Sequence, residues 1–312
     1  MRAAVCSEYG PPEVVRIEAL PSTPLEAGQV RIRIGAAAVN FSDVLLIADK
    51  YQVSVPPPFT PGSEFAGVVG DRVTGTGFVG AFAEEVIVAS DKLTLTRIPD
   101  GIDARVAAAF GVAHRTAYHT LRSVARLAPG DELIVLGAGG GVGLAAVQLG
   151  IARGASVTAV ASSTEKLDVA ASYGARHLIN HRSGDLRAAL REVLPRGADV
   201  VVDPVGGDLS EPALRALRPG GRFVTVGYAS GVIPSIPLNL VLVKGVQIHG
   251  FQFKDIAPDE FRRNEIELTD LLVSGGAVPH IGATFPLDEA AGALRHVADG
   301  LAIGKVLIDL ET

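Results

Sequence analysis

The stretch that most constrains this chain is ELIVLGAGGGVGLAAVQLG, Glu132 to Gly150. An apolar run of strand length enters a turn crowded by Gly139, Gly140, Gly141 and Gly143, and an Ala/Leu/Gln helix pattern leaves it. A helix N-terminus presents unsatisfied amide N–H groups and a partial positive charge, so it receives phosphate oxygens. Side chains in such a turn would hold a pyrophosphate away, which is the physical reason for bare backbone there. The spacing Gly141-x-Gly143-x-x-Ala146 meets the looser dinucleotide fingerprint, and Val142 lies inside it. Alone, the motif is weak; its surroundings strengthen it.

Those surroundings alternate. Strand patterns cover Glu132–Leu136, Ser156–Ala161, His177–Ile179, Asp199–Asp203, Arg222–Val226 and Val246–Gly250. Helical patterns lie between them at Val142–Arg153, Glu165–Tyr173, Asp185–Leu194 and Leu209–Leu217. Such alternation builds a doubly wound parallel sheet with helices on both faces, an α/β Rossmann domain. The chain on either side has another texture. Gln29–Val39 alternates Val30, Ile32 and Ile34 with Arg31 and Arg33, and Phe82–Ser90 is again strand-like. After Phe253 come a charged helix, an extended PHIGATFPL, a second helix and a final strand GKVLIDL. The economical division is a β-rich domain from 1–113 and 254–312, interrupted by a Rossmann domain at 114–253.

The second strand of the alternation decides the form of the cofactor. An NAD enzyme places Asp or Glu at its end, about 20 residues past the glycines, to bind the ribose hydroxyls. Here SVTAVA runs into Ser162, Ser163, Thr164, Glu165 and Lys166. Hydroxyls and a lysine suit a 2′-phosphate, which an acid would repel. Glu165 reads as a helix-capping residue, and His181 and Arg182 after the third strand approach the same edge. The cofactor implied is NADPH.

Other classes fall away on composition. The 312 residues carry a net charge of −6, with no basic footprint for nucleic acid or an anionic membrane. Cys6 is the only cysteine, so neither a disulfide nor a thiolate–zinc cluster can form within the chain. His114 and His119 stand five apart and do not share a helix face, and no metal site is expected. No apolar stretch reaches membrane-spanning length uninterrupted. A soluble cytoplasmic protein is the expectation.

The motifs NFSDVLLIADKYQ, PFTPGSEFAGVV, TAYHTL, LGAGGGVGLAAVQL, DPVGGDL, GYASGVIPSIPLNLVLVK and GKVLIDL resemble the zinc-independent quinone oxidoreductases of the medium-chain dehydrogenase/reductase superfamily. The resemblance implies a GroES-like β-rich catalytic domain beside the Rossmann domain, and a homodimer through the Rossmann sheet. By position it implies that Gly140 to Gly143 hold the pyrophosphate and Ser162, Ser163 and Lys166 the 2′-phosphate. His181 would flank the adenosine phosphate. Thr116, Val226, Gly227, Tyr228, Phe251 and Phe253 would line the nicotinamide, and Asn40, Asp43 and Tyr51 the nicotinamide and substrate. Asn40 and Ser42 also read as N-caps of the helix near Asp43. Lys305 reads as a solvated surface lysine, and Asp203 as a turn cap or a ligand-edge residue.

Two departures from the family pattern stand out. Leu45 occupies a position where an aromatic is common. FAGVV also runs directly into GDRV at Val69–Gly70, where family members carry a further strand and turn. Either the barrel is shortened, with sheet edge and core exposed, or residues are missing from the chain.

The activity implied is hydride transfer from NADPH to a quinone or related α,β-unsaturated carbonyl. No nucleophile is needed, and Asn40 and Tyr51 are the candidate donors to the developing oxyanion. An enoyl-thioester reductase uses the same hydride step. A cofactor-binding protein with little catalysis is the third reading, motivated by the shortened barrel.

Overall fold

The computed structural model describes residues 1–89 and 95–311. In chain order the first strands and helix are β1 (Arg2–Cys6), β2 (Val15–Ala19), β3 (Gln29–Val39), α1 (Phe41–Ile47), β4 (Glu64–Val69), β5 (Asp71–Thr76), β6 (Glu85–Ala89) and β7 (Leu95–Arg97). Helix α2 (Ala104–His119) leads through a π turn at Thr120–Val124 into β8 (Glu132–Leu136), α3 (Gly141–Ala152), β9 (Ser156–Ala161), α4 (Thr164–Ser172) and β10 (His177–Asn180). There follow α5 (Leu186–Val193), β11 (Ala198–Asp203), α6 (Ser210–Arg215), β12 (Leu217–Thr225), α7 (Asn239–Lys244) and β13 (Gln247–Gly250). The chain closes with α8 (Pro258–Val273), β14 (Ile281–Pro286), α9 (Ala290–Ala298) and β15 (Lys305–Asp309). Ser90, the end of the strand expected at Phe82–Ser90, lies outside the described residues. No helix among the described residues is long and apolar enough to cross a membrane.

The chain divides into two units, 1–112 with 279–312, and 113–278. The second border differs from the expected 253/254. Segment 254–278 belongs with the Rossmann-type unit, because α8 is tied to α2 and the turn after it. Asn264, fully buried, donates to Ser123 Oγ at 2.9 Å and to His119 Nδ1 at 3.2 Å. Arg115 pairs with Glu265 at 2.8 Å, and Leu268 and Leu272 are buried. The charged helix has partners as far as 150 residues earlier in the chain.

In the first unit, the described strands of the main sheet run β14-β15-β3-β4-β5-β7, with β6 also paired to β3. Ile32 and Ile34 of β3 are buried with exposed Arg33 between them, as the alternation demands. Phe65, Phe82, Val306 and Ile308 join them in the core, and Ala290, Ala293 and Leu294 of α9 cover it. Farther along β3 the side chains shrink to Ala36, Ala37 and Ala38 because both faces are packed. Ala36 and Ala38 meet Ala107, Ala108 and Ala109 on the first half of α2.

The shortened stretch at Val69–Gly70 forms a hairpin. β4 and β5 pair from Glu64↔Thr76 to Val69↔Asp71 with Gly70 alone between them, at φ +73°. That left-handed conformation is open to glycine at no steric cost. β4 has β3 on one side and β5 on the other, so the edge expected to be exposed there is covered.

In the second unit the described strands form a parallel sheet in the order β10-β9-β8-β11-β12-β13. The order reverses between β8 and β11, the crevice where doubly wound sheets bind nucleotides. Leu133, Ile134 and Val135 of β8 and Val200, Val201 and Val202 of β11 are fully buried, as central strands with two covered faces require.

Candidate functional site

The carboxyl edge of the parallel sheet gathers most of the residues expected to bind cofactor. The glycine turn follows β8, Ser162 and Ser163 follow β9, and His181 follows β10. Val226, Gly227 and Tyr228 follow β12, and Phe251 and Phe253 follow β13. Thr116 is a buried residue on α2.

The glycines of the turn are bare for different reasons. A Cβ on Gly143 would stand 2.0 Å from the Gly137 carbonyl oxygen, so the fold itself forbids a side chain there. Gly139 is covered by the aliphatic stem of Lys166, 2.5 Å from where a Cβ would be. Gly140 is different. It caps α3 with extended backbone, and a Cβ there would meet only the Gly137 carbonyl oxygen at 3.6 Å. No side chain caps α3, so its first amides are unengaged by a cap and face the space that Gly140 leaves. This cradle fits a pyrophosphate.

At the end of β9 the Ser163 hydroxyl accepts from the Lys166 amide at 3.4 Å. The Glu165 carboxyl is held below the usual carboxylate range by its own amide and by Ser163; the N-cap of α4 is Ser163, and Glu165 lies in the first turn. Lys166 has its pKa lowered by burial and then by Arg182. His181 has its pKa lowered by burial, then by Arg182 and Lys166. Like charges thus act on one another at this corner, and a polyanion would relieve them.

The residues after β12 and β13 are fixed from behind. Asp203, buried at the end of β11, accepts from the amides of Val205 and Gly206 at 2.8 Å and from Ser210 Oγ at 2.6 Å. Its own carbonyl accepts from the Val226 and Gly227 amides. Asp203 is therefore the turn cap. Phe251 and Phe253 meet edge to face at 4.8 Å, and Phe253 packs on His119 at 5.7 Å. His119 stacks on Phe261 at 4.9 Å. Because the Asn264 amide donates to Nδ1, the neutral His119 ring carries its hydrogen on Nε2 and donates to Glu265. His119, Phe261 and Asn264 are supports that sequence reasoning missed; a histidine, a phenylalanine and an asparagine far apart carry no local signal.

In the first unit Asn40, Asp43 and Tyr51 have separate surroundings. Asn40 is the N-cap of α1, yet its side chain turns to a buried polar cluster. Lys305, 3% exposed, donates from Nζ to Glu64 Oε1 and Asn40 Oδ1, both at 2.6 Å, and to the Val39 carbonyl at 3.3 Å. The expectation of a solvated lysine is corrected: Lys305 is an internal ammonium paired to Glu64. Asn40 Nδ2 donates to Glu64 Oε1 at 2.9 Å and to Ser63 Oγ at 3.2 Å. Glu64 Oε2 accepts from the Val112 amide at 2.7 Å. With both amide hydrogens engaged, Asn40 has none to offer a substrate, against its expected donor role.

Asp43 is fully buried. Its Oδ2 accepts from the Asn40 amide at 2.8 Å, and its Oδ1 has no hydrogen-bond partner. Burial pushes its pKa up to about 7, against the pull of the Asn40 amide, Lys305 and Ser63 and with the push of Glu64. Tyr51 is half-buried, its ring 6.0 Å from Phe78. Among the described residues no three His, Cys, Asp or Glu side chains group in a way that could hold a metal ion.

Known proteins resemble this chain in sequence and in fold. Residues 141–270 match the family described as zinc-binding dehydrogenase, and residues 26–100 the alcohol dehydrogenase GroES-like domain. Among the described residues no group of side chains fits the zinc of the first description. Quinone oxidoreductase-like protein 2 of Bos taurus is 36% identical over 327 residues, covering 99% of this chain and 93% of that protein. The quinone oxidoreductase from Thermus thermophilus, solved also in complex with NADPH, superposes with a TM-score of 0.88 at 32% identity, covering 99% of this chain and 100% of that one. The Escherichia coli quinone oxidoreductase complexed with NADPH has a TM-score of 0.91 at 25% identity, with the same coverage.

Proposed function

We propose an NADPH-dependent reductase activity for this chain, which belongs to the quinone oxidoreductase family of the medium-chain dehydrogenase/reductase superfamily. The acceptor is a quinone or related α,β-unsaturated carbonyl. The observation that carries the choice of cofactor is the corner after β9 and β10, where Arg182 acts on Lys166 and both act on His181. A 2′-phosphate matches that charge, and its absence in NADH leaves the repulsion in place. When bound, NADPH supplies the hydride.

The chain's own residues do the rest. The α3 amides above Gly140 receive the pyrophosphate. Val226, Gly227, Tyr228, Phe251 and Phe253 form the nicotinamide end, kept in position by Asp203 and the His119 cluster. The oxygen of the reduced acceptor must be met by hydrogen-bond donors of the protein. Tyr51 offers one: its hydroxyl hydrogen-bonds to none of the described residues. Steady-state oxidation of NADPH and NADH with quinones, enals and enoyl-CoA esters tests the reading. It predicts NADPH as the better donor and quinones or enones as acceptors.

The working form is a homodimer formed along β13. This strand is the described edge of the parallel sheet, and Ile248 on it is 40% exposed. Leu238, Leu242 and Val243 beside it are 77%, 83% and 80% exposed. An open edge flanked by apolar side chains is a template for a second copy.

A further inference from the structure

At the end of β8 and α3 opposite the glycine turn, the second unit carries a pocket of about 330 Å³. It is lined by Arg122, Ser123, Arg126, Leu127, Arg153 and Glu260, so Leu127 is its one apolar side chain. Ligand pockets begin at about 300 Å³, and this one has room for a small, polar molecule. Arg122 and Ser123 lie in the π turn after α2, Arg126 just beyond it, Arg153 at the C-cap of α3 and Glu260 in the first turn of α8. The Gly130 amide donates to the Gly154 carbonyl at 2.8 Å, which ties the segment before β8 to the end of α3.

The protein does not use up the guanidinium donors of this pocket. Arg122 pairs through Nε with Glu267 at 3.4 Å. Arg153 donates from Nη2 to the Leu127 carbonyl at 3.2 Å, and its buried Nε has no hydrogen-bond partner. Arg126 is exposed, and among the described residues its side chain makes no hydrogen bond or ion pair. Ser123 Oγ accepts from Asn264 at 2.9 Å and keeps its own hydrogen. Glu260 is the only carboxylate in the lining, so three cations face one anion. A buried donor without an acceptor is costly, and an anionic oxygen in the pocket supplies one. Arg126 is also held at φ +50°, a left-handed conformation uncommon outside glycine. Arg222 fixes it there, donating from Nη1 to the Ala125 carbonyl at 2.9 Å and the Arg126 carbonyl at 3.3 Å. Strained residues held by their surroundings cluster at ligand sites.

We propose that this pocket binds a small phosphate monoester, at a site separate from that of the cofactor. A terminal phosphate has three oxygens, one for each guanidinium, and a charge of about −1.5 to −2 near pH 7. A carboxylate has two oxygens and a single charge, and so leaves one arginine unmatched. The planar fork of arginine suits phosphate geometry. The unpartnered Arg153 Nε and the Ser123 hydroxyl are the further donors toward it. The volume leaves space beside the phosphate for a hydroxylated remainder, which Glu260 meets as an acceptor. Hydride transfer plays no part in this binding, so the proposal stands apart from the reductase reading.

Calorimetric titration of the full chain with glycerol 3-phosphate tests the site, with succinate as the dicarboxylate control. Glycerol 3-phosphate binds, and succinate binds about tenfold more weakly or not at all. Arg126→Gln removes an exposed charge that no described residue pairs with, so it keeps Tm in phosphate-free buffer and weakens glycerol 3-phosphate by about tenfold. Lys166→Met, which acts at the cofactor corner, leaves that affinity unchanged. Absence of binding to the unmodified protein, succinate bound equally well, or an affinity that Arg126→Gln does not move overturns the proposal. Loss of binding in Lys166→Met also overturns it, since the phosphate then sits at the cofactor corner instead.

Discussion

Asp43 and Lys166 show how far single residues depend on their surroundings. Asp43 is raised from 3.8 to about 7 by burial. An acid whose folded pKa lies above its unfolded value costs stability as pH rises from the unfolded towards the folded pKa, and the cost persists above it. Asp43→Asn therefore raises Tm relative to the unmodified protein at pH 8 and gains little at pH 4, as thermal unfolding at the two pH values will report. Lys166→Met keeps the stem that covers Gly139 and removes the charge. It weakens NADPH by about tenfold, ~1.4 kcal/mol, and leaves NADH unchanged by calorimetry. His181 is lowered by burial and its cationic neighbours. A bound 2′-phosphate raises it, so NADPH affinity falls as pH rises through the bound-state pKa, while NADH affinity does not. His181→Gln abolishes that difference in slope.

The glycine turn separates folding from binding at the scale of an element. Gly143→Ala drives a Cβ to 2.0 Å from a backbone oxygen and lowers Tm. Gly140→Ala has room in the protein alone, so it leaves Tm in place and weakens NADPH, because the added carbon fills the phosphate cradle. Melting curves and calorimetry on the two variants distinguish the roles. The elements of the parallel sheet were readable in the sequence because each is a local apolar run, and Glu132–Leu136 and Ser156–Ala161 coincide with β8 and β9. Helix α8 was readable as a helix, but its home in the second unit was not, since Arg115, His119 and Ser123 lie so far from it in sequence. Lys305 and Glu64 were misread or missed for the same reason. A lysine in GKVLIDL looks like any edge lysine until β15, β3 and β4 bring it to Glu64 and Asn40.

For the whole molecule, the shortened β4–β5 hairpin leaves a paired sheet, so nothing in its architecture argues for a catalytically inert protein. Assembly is tested at the exposed edge: Leu242→Glu shifts the proposed dimer to monomer in sedimentation velocity, and an unchanged sedimentation coefficient removes β13 and α7 from the interface. The account turns on a phosphorylated nicotinamide cofactor seated on the carboxyl edge of the parallel sheet and used for reduction. Its most direct test is the steady-state ratio of kcat/KM for NADPH over NADH with a quinone acceptor, measured beside Lys166→Met. A ratio well above one that collapses in the variant is the predicted result; equal use of both cofactors, or a ratio the variant does not move, contradicts it.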